Sequence, residues 1–414
     1  VAGSPSYPRL AEFRLAEALS DTPVVLVHGP RQCGKTTLAR MVGDRSGYAY
    51  FTFDDAVTLA AAQTDPTGFV DDLPGRVILD EIQRVPQLFA SLKRAVDRDR
   101  RAGRFLLTGS SNVLLLPRLS DSLAGRMEIV PLHPLAQAEL RGGPSDFIGR
   151  LFDRKFQSGS RLRLGRDLAP LVAAGGFPAA LARPAARRRA AWYRDYVETL
   201  VQRDVRELAR IASLDAIPRL LARVGAQTAR LLNLSDLAAP LTLSRPTVRD
   251  YVTLLERIFL VHELPPWHGN RLSRLVKTPK VHLGDSGLAC ALLGLDAGAL
   301  TADRAVLGQL LETFVVQELR RLASGLPERI DFLHYRDRDG AEVDVVLERG
   351  PGEIAGVEVK AGATVTASDF RGLRKLQVAA GPRFRAGVVL YDGEATLPFG
   401  ERLQAVPLRC LWEA

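Results

Sequence analysis

Cysteine is scarce in this 414-residue chain. Its three cysteines, Cys33, Cys290 and Cys410, form no CxxC pair and have no pair of histidines beside them. That excludes a disulfide-stapled scaffold and a structural zinc site. Long hydrophobic runs are missing too: no stretch of 18 apolar residues occurs, and the opening VAGSPSYPRLAEF has neither the basic nor the apolar region of a signal peptide. No membrane partner is expected, and a cytoplasmic location is. There is no internal repeat and no low-complexity linker. Lysine is also rare, at seven residues, and the other 49 basic side chains are arginine, so the net charge of +9 partly reflects a general arginine bias. What is there in quantity is ordinary globular material, 46% hydrophobic and 25% charged, enough to exclude wholesale disorder and to fill two to four domains.

The distribution of charge says more than its total. Residues 1–140 hold 16 basic and 16 acidic side chains, 141–270 hold 21 and 12, and 271–414 hold 19 and 19. The whole excess lies in the middle. Such a segment either meets a polyanion or presents a solvated arginine-rich surface.

Short apolar runs at 23–28, 48–53, 77–79 and 104–108 alternate with helical patterns such as FASLKRAVDRDRRAG. Strands alternating with helices predict an α/β domain around a mostly parallel sheet. After the first run, Gly29, Pro30, Arg31, Gln32, Cys33, Gly34, Lys35 and Thr36 spell GxxxxGKT, between a strand and a helix as phosphate binding requires. Glycines let the backbone N–H groups turn toward phosphates, Lys35 supplies a charge to the β- and γ-phosphates, Thr36 offers a hydroxyl to Mg²⁺, and Thr37 extends the helix N-terminus. In VILDEI, Asp80 would hold Mg²⁺ and Glu81 would polarise the attacking water. Ser110, at the end of FLLTGSS, is placed to sense the γ-phosphate, or is simply a turn serine. Arg126, in SLAGR, is either an arginine finger across a subunit boundary in a homo-oligomer or a solvated side chain.

GPRQCGKT, VILDEI, LLTGSS and SLAGR resemble an AAA-fold P-loop ATPase. With IVPLHPL, GGFP at 175–178 and YVETLVQRDV at 196–205, nearly the whole chain resembles a bacterial family of AAA-type ATPases that carry a C-terminal domain of unknown function. The resemblance implies ATP binding, a winged-helix segment in the middle and a nuclease-like C-terminal fold. GGFP matches the family's pattern without a role that chemistry supplies.

The middle is almost wholly helical in pattern from 170 to 239. In NLSDLAAPLTLSRPTVRDYVTLLERIFLVHELP a short helix after Asn233 meets a turn, and a second helix begins with Ser244 as cap and Pro246 in its first turn. Val248, Tyr251, Leu255 and Ile258 form one apolar stripe, which leaves Arg245, Thr247 and Arg249 on the exposed end that would enter a major groove of duplex DNA; LVHEL would begin the wing. A packed lid over the nucleotide is the competing reading.

The last third reads helix, three strands, helix, strand. Asp344 in AEVDVV and Glu358 with Lys360 in VEVK flank a Gly-Pro-Gly turn. If the hairpin sets Asp344 opposite Glu358, two carboxylates can bind Mg²⁺ and Lys360 can orient a water for phosphodiester attack. This resembles the PD-(D/E)xK nuclease pattern of a restriction-endonuclease-like fold, with Glu312 matching an added helix carboxylate. A common amphipathic strand is the plain alternative. The expected domains are 1–150, 151–270 and 271–414. Two functions compete: an ATPase controlling a Mg²⁺-dependent DNA nuclease, or a nucleotide-dependent switch with an inactive C-terminal domain.

Overall fold

The computed structural model describes residues 7–110, 123–143, 145–157, 159–205, 214–269, 278–350 and 352–413. In the first part, β1 (Val24–His28), β2 (Ala49–Thr52), β3 (Val77–Asp80), β4 (Phe105–Gly109) and β5 (Met127–Pro131) form a wholly parallel sheet in the order β2-β3-β4-β1-β5. The strands β1, β3 and β4 are buried along their full length, which is why they read as unbroken apolar runs. Val24 and Leu26 pack on the helix Leu88–Arg98, while Val25 and Val27 pack on the helices Ala11–Asp21 and Lys35–Arg45. Leu88, Leu92, Ala95 and Val96 recur at helical spacing and account for the face that Leu88–Arg98 buries.

Among the described residues, helices follow up to residue 226 and lead into a three-stranded antiparallel sheet of β6 (Arg230–Leu231), β7 (Val261–Leu264) and β8 (Lys280–Leu283), in the order β6-β8-β7. The helices Leu234–Ala238 and Arg245–Arg257 lie between β6 and β7. Their caps are the expected ones: the Asn233 side chain accepts from the Ser235 and Asp236 amides, and Ser244 Oγ accepts from the Thr247 amide at 3.2 Å. Val248, Tyr251, Leu255 and Ile258 are all buried. Two expectations change. The short strand β6 interrupts the helical stretch, and β8 lies beyond the expected boundary at 270 yet belongs to the middle sheet. The reason is pairing: β7 needs an antiparallel partner, and β8 supplies it at Val261↔Leu283 through Leu264↔Lys280.

The last part opens with the helix Arg304–Ala323. Its sheet contains β9 (Ile330–Arg336), β10 (Glu342–Arg349), β11 (Glu353–Lys360), β12 (Phe384–Tyr391), β13 (Leu397–Gly400) and β14 (Leu403–Pro407), ordered β13-β14-β12-β11-β10-β9. The helix, three strands, helix and strand appear as read from the sequence. The pair β13 and β14 was not read from the sequence: β13 is a largely exposed edge strand whose Pro398 and Gly400 leave no alternation of apolar and polar residues, whereas β14 is mostly buried. A single hydrophobic cluster runs from Ala138 to Trp412 through the middle and last parts.

One buried polar network joins all three parts. Asp285, fully buried, accepts from the Gly176 amide at 2.8 Å, the Tyr193 hydroxyl at 2.7 Å and Arg321 Nη2 at 2.8 Å. Arg321 Nη1 donates to Glu318 Oε1 at 2.7 Å and to the Leu135 carbonyl at 3.1 Å, and Glu318 Oε2 accepts from the Gln137 amide at 2.8 Å. Removing one partner strands a buried charge. Arg321→Met should therefore lower the unfolding free energy by about 3–5 kcal/mol in urea titrations; a loss under about 1 kcal/mol would show that the network is not needed.

Candidate nucleotide site and a second acidic site

The loop Gly29–Gly34 leaves the end of β1 and feeds the helix Lys35–Arg45. A Cβ on Gly29 would lie 1.9 Å from the Leu132 carbonyl oxygen, and Gly34 has φ +101°, so glycine is required at both points. Lys35 is 5% exposed, and its ammonium donates to the carbonyls of Gly29 at 3.1 Å and Pro30 at 2.8 Å. Its partners are neutral oxygens, leaving the charge available to an anion. The Cys33 thiol is buried against Leu132, and burial pushes its pKa up. The Arg31 carbonyl accepts from Tyr196 Oη at 3.1 Å.

β4 lies between β1 and β3, which brings the ends of all three strands together. Thr36 Oγ1 donates to Asp80, 2.9 Å from Oδ1 and 3.1 Å from Oδ2, and Asp80 also accepts from the Tyr50 hydroxyl at 2.8 Å and from Thr108. Burial, then the bond to Asp80, pushes the Tyr50 phenol up to about 12. Thr36 and Asp80 meet side by side, and a hydroxyl and a carboxylate are donors of the kind Mg²⁺ takes. Glu81 has φ +59°, an uncommon backbone for a residue with a side chain. Gln83 Nε2 donates to Glu81 and, at 3.0 Å, to Ser110 Oγ, which joins the candidate water-positioning carboxylate to the candidate sensor.

A cavity of about 500 Å³ opens beside this cluster, and Gln32, Lys35, Thr36, Thr37 and Glu81 line it. Leu135, Pro178 and Ala179 form part of its wall. Pro178 ends the GGFP motif, and the Leu135 amide donates to the Gly176 carbonyl at 2.7 Å. That gives GGFP a place: it presents the helical part to the loop. Arg9 braces the site, donating to the carbonyls of Cys33 at 2.9 Å and His133 at 2.7 Å and to Glu139 at 3.0 Å.

Arg126 is elsewhere. It precedes β5, whose first residue pairs with Val24, whereas the loop follows His28 at the opposite end of β1. It bonds Asp97 within the same chain at 2.7 Å. The structure therefore does not bring Arg126 into this chain's own site, because parallel register puts the start of β5 at the wrong end of the sheet. In the middle part Arg245 is exposed, and Thr247 shares a hydrogen bond with the Ser244 hydroxyl at 2.7 Å. Arg249 makes a two-armed ion pair with Glu263 of β7 while its side chain stays about half exposed.

The hairpin pairs Val345 with Val357, which sets Asp344 opposite Glu358 as the nuclease pattern needs, and the Val359 amide donates to Asp344 Oδ2 at 2.9 Å. The pairing of β10 with β9 shifts register between Val343 and Val346. Lys360 Nζ bonds Glu358 Oε1 at 2.9 Å. The centre of the cluster, however, holds Lys280 of β8: its ammonium lies 2.9 Å from Glu312 Oε1 and 3.3 Å from Asp344 Oδ1 and also bonds Glu342. Burial opposes that charge, but Asp344, Glu312 and Glu342 outweigh it and raise the Lys280 pKa. Burial and the Asp344 charge push Glu312 well above the usual carboxylate range and Glu358 to about 8. Among the described residues no three Asp, Glu, His or Cys side chains gather as ligands of one metal ion, and the carboxylates do not fit Mg²⁺ while Lys280 stands among them.

Sequence reasoning missed Tyr50, Gln83, Thr108, Lys280 and Glu342. Glu342 was findable, being two residues before Asp344 on the same strand. Lys280 was one of few lysines, in a strand of otherwise apolar and histidine residues, but only the fold shows what it reaches.

Family models match an AAA domain over residues 21–141, a domain of unknown function, DUF8612, over 165–299, and a domain of unknown function, DUF4143, over 307–411. The class is thus a protein built on an AAA domain of the P-loop kind. More particularly, the chain is 31% identical over 399 residues to the uncharacterized proteins Rv2008c of Mycobacterium tuberculosis and Mb2031c of Mycobacterium bovis, covering 96% of this chain and 83% of each relative, and it belongs to their family. Among solved structures it is similar to a Walker-type ATPase of Pyrococcus abyssi, at 15% identity and TM-score 0.41, over 68% of this chain and 94% of that one. It is also similar to the RuvB Holliday junction branch migration motor of Thermotoga maritima, at 18% identity and TM-score 0.27, over 62% and 89%. Among the described residues no helix is long and apolar enough to cross a membrane.

Glu81→Gln should keep nucleotide binding and slow hydrolysis at least about 100-fold, because the amide cannot accept a proton while Thr36 and Asp80 are untouched; single-turnover rates beside a binding titration check both halves. A pH effect follows from His28 at the end of β1. Burial, then the Lys35 charge, lowers its pKa from 6.5 to about 4. The unfolded chain takes up that proton first, so the neutral imidazole's contribution is present above pH 6.5 and is lost as pH falls toward 4. Relative to the unsubstituted chain, His28→Leu should gain stability by up to about 1.4 kcal/mol per pH unit on acidification across that window, measured by urea denaturation at several pH values. A difference that does not vary with pH would put the imidazole in contact with water.

Proposed function

We propose that the chain hydrolyses ATP and that the nucleotide sets how the AAA domain docks on the helical middle part. The observation that supports this most directly is the composition of the cavity wall. Lys35, Thr36 and Thr37 from the phosphate loop face Pro178 and Ala179 from the helical part across one space of about 500 Å³, large enough for a nucleotide. The loop amides and Lys35 bind the phosphates, Glu81 takes the proton of the attacking water, and Ser110 reports through Gln83 on what occupies the γ-phosphate position. Thr36 and Asp80 would hold Mg²⁺, which supplies charge neutralisation between the phosphates when bound.

Duplex DNA is the partner we assign to the middle part. The charge excess between 141 and 270 and the exposed Arg245 at the start of the second helix support that reading, whereas Arg249, engaged by Glu263, is left out of it. Arg126 and a second copy of the chain are left out as well. Metal-dependent DNA cleavage by the last part is not included, because Lys280 occupies the centre of the acidic cluster.

Ala179→Trp fills the helical wall of the cavity and should weaken nucleotide binding at least about tenfold while the chain stays folded; unchanged affinity by calorimetry would remove the helical part from the site. For DNA, the logarithm of affinity should fall linearly with the logarithm of salt, and Arg245→Ala should reduce the slope by about one unit if it meets one phosphate. Binding that ignores salt would point to a protein partner for this face.

A further inference from the structure

The acidic cluster of the last part gathers Glu312 from a helix, Glu342 and Asp344 from β10, and Glu358 from β11. Lys360 pairs with Glu358, Glu342 is partly exposed, and the largely buried Glu312 and Asp344 with Glu342 need positive charge of their own. In this chain a side chain supplies it. Lys280 is 2% exposed and touches Glu312, Glu342 and Asp344 at once. It comes from outside the domain that owns the carboxylates, on β8 of the middle sheet.

We infer that the Lys280 ammonium takes the place of a divalent cation in this cluster, so that the nuclease-like domain serves as an acidic socket for the middle domain and does not bind metal. The backbone supports a fixed plug over a movable one. Lys280 sits on the central strand of its sheet, paired with Leu231 on one side and Leu264 on the other, so withdrawing it would break both pairings. Beyond β7, the Trp267 amide donates to the His334 carbonyl at 2.6 Å and the His334 amide to the Pro265 carbonyl at 2.9 Å, which ties that segment to β9. The middle sheet and the last sheet are thus stitched together by backbone hydrogen bonds beside the point where Lys280 crosses between them. An ammonium has three donors and no coordination demand, and it meets three acceptors here. The inference does not depend on ATP hydrolysis, since the nucleotide site shares no residue with this cluster.

The test is Mn²⁺ binding to the full chain without nucleotide, read by electron paramagnetic resonance, with Asp80→Asn present throughout to remove the loop's own metal ligand. The Lys280-bearing chain should show no Mn²⁺ site that depends on Asp344. Adding Lys280→Met should create one site per chain, at least about tenfold tighter than any residual binding, and adding Asp344→Asn to that variant should abolish it. Two results would overturn the inference: a Mn²⁺ site in the Lys280-bearing chain that Asp344→Asn removes, or a folded Lys280→Met chain that gains no site. If Lys280→Met fails to fold, the Lys280-bearing chain with and without Asp344→Asn decides alone. An Asp344-dependent site overturns the inference and none supports it, while a folded Lys280→Arg chain without such a site supports it further by showing that charge suffices.

Discussion

The buried guanidinium of Arg321 is the constraint on which the rest depends. It lies between Asp285 and Glu318, both buried, and donates to the Leu135 carbonyl of the segment that follows β5. Charges taken out of water are tolerated only when every one is paired and every hydrogen-bonding position is used. That requirement makes the contact specific. Asp285 also holds the Gly176 amide and the Tyr193 hydroxyl, so the position of GGFP against the nucleotide cavity is set by the same carboxylate that anchors the last domain's helix. Leu135, which lines the cavity, is bonded directly to Arg321 through its carbonyl, and the GGFP segment is bonded to it through Asp285.

Two buried lysines show how the partner decides what a cation does. Lys35 is held by peptide carbonyls, neutral acceptors whose loss to a phosphate costs little. Lys280 is held by three carboxylates, and its charge is already satisfied. The partners of the first leave its charge free for an anion and those of the second do not, and only the first lay in a motif that the sequence displays.

The middle part separates local from distant determinants. Asn233 and Ser244 cap their helices by accepting from amides two or three residues away, and Pro246 lies in the first turn of the second helix, so the helix starts follow from the residues themselves. Arg249 was equally visible as an exposed arginine, yet its partner Glu263 is 14 residues on, across a strand, and nothing local announces that pairing.

By itself the sequence determined the parallel sheet, the phosphate loop with Lys35 and Thr36, the carboxylates Asp80 and Glu81 at a strand end, and a hairpin carrying Asp344 and Glu358, whose register it left open. These depend on apolar periodicity, glycine conformation and strand alternation, which act over a few residues. The tertiary structure alone decided that Pro178 walls the cavity, that Arg126 stands at the far end of the sheet, that β8 crosses the expected boundary, and that Lys280 enters the acidic cluster. Each of those rests on strand order or on the packing of one domain against another. Short-range chemistry carries no record of which distant charge will be brought within 3 Å of which.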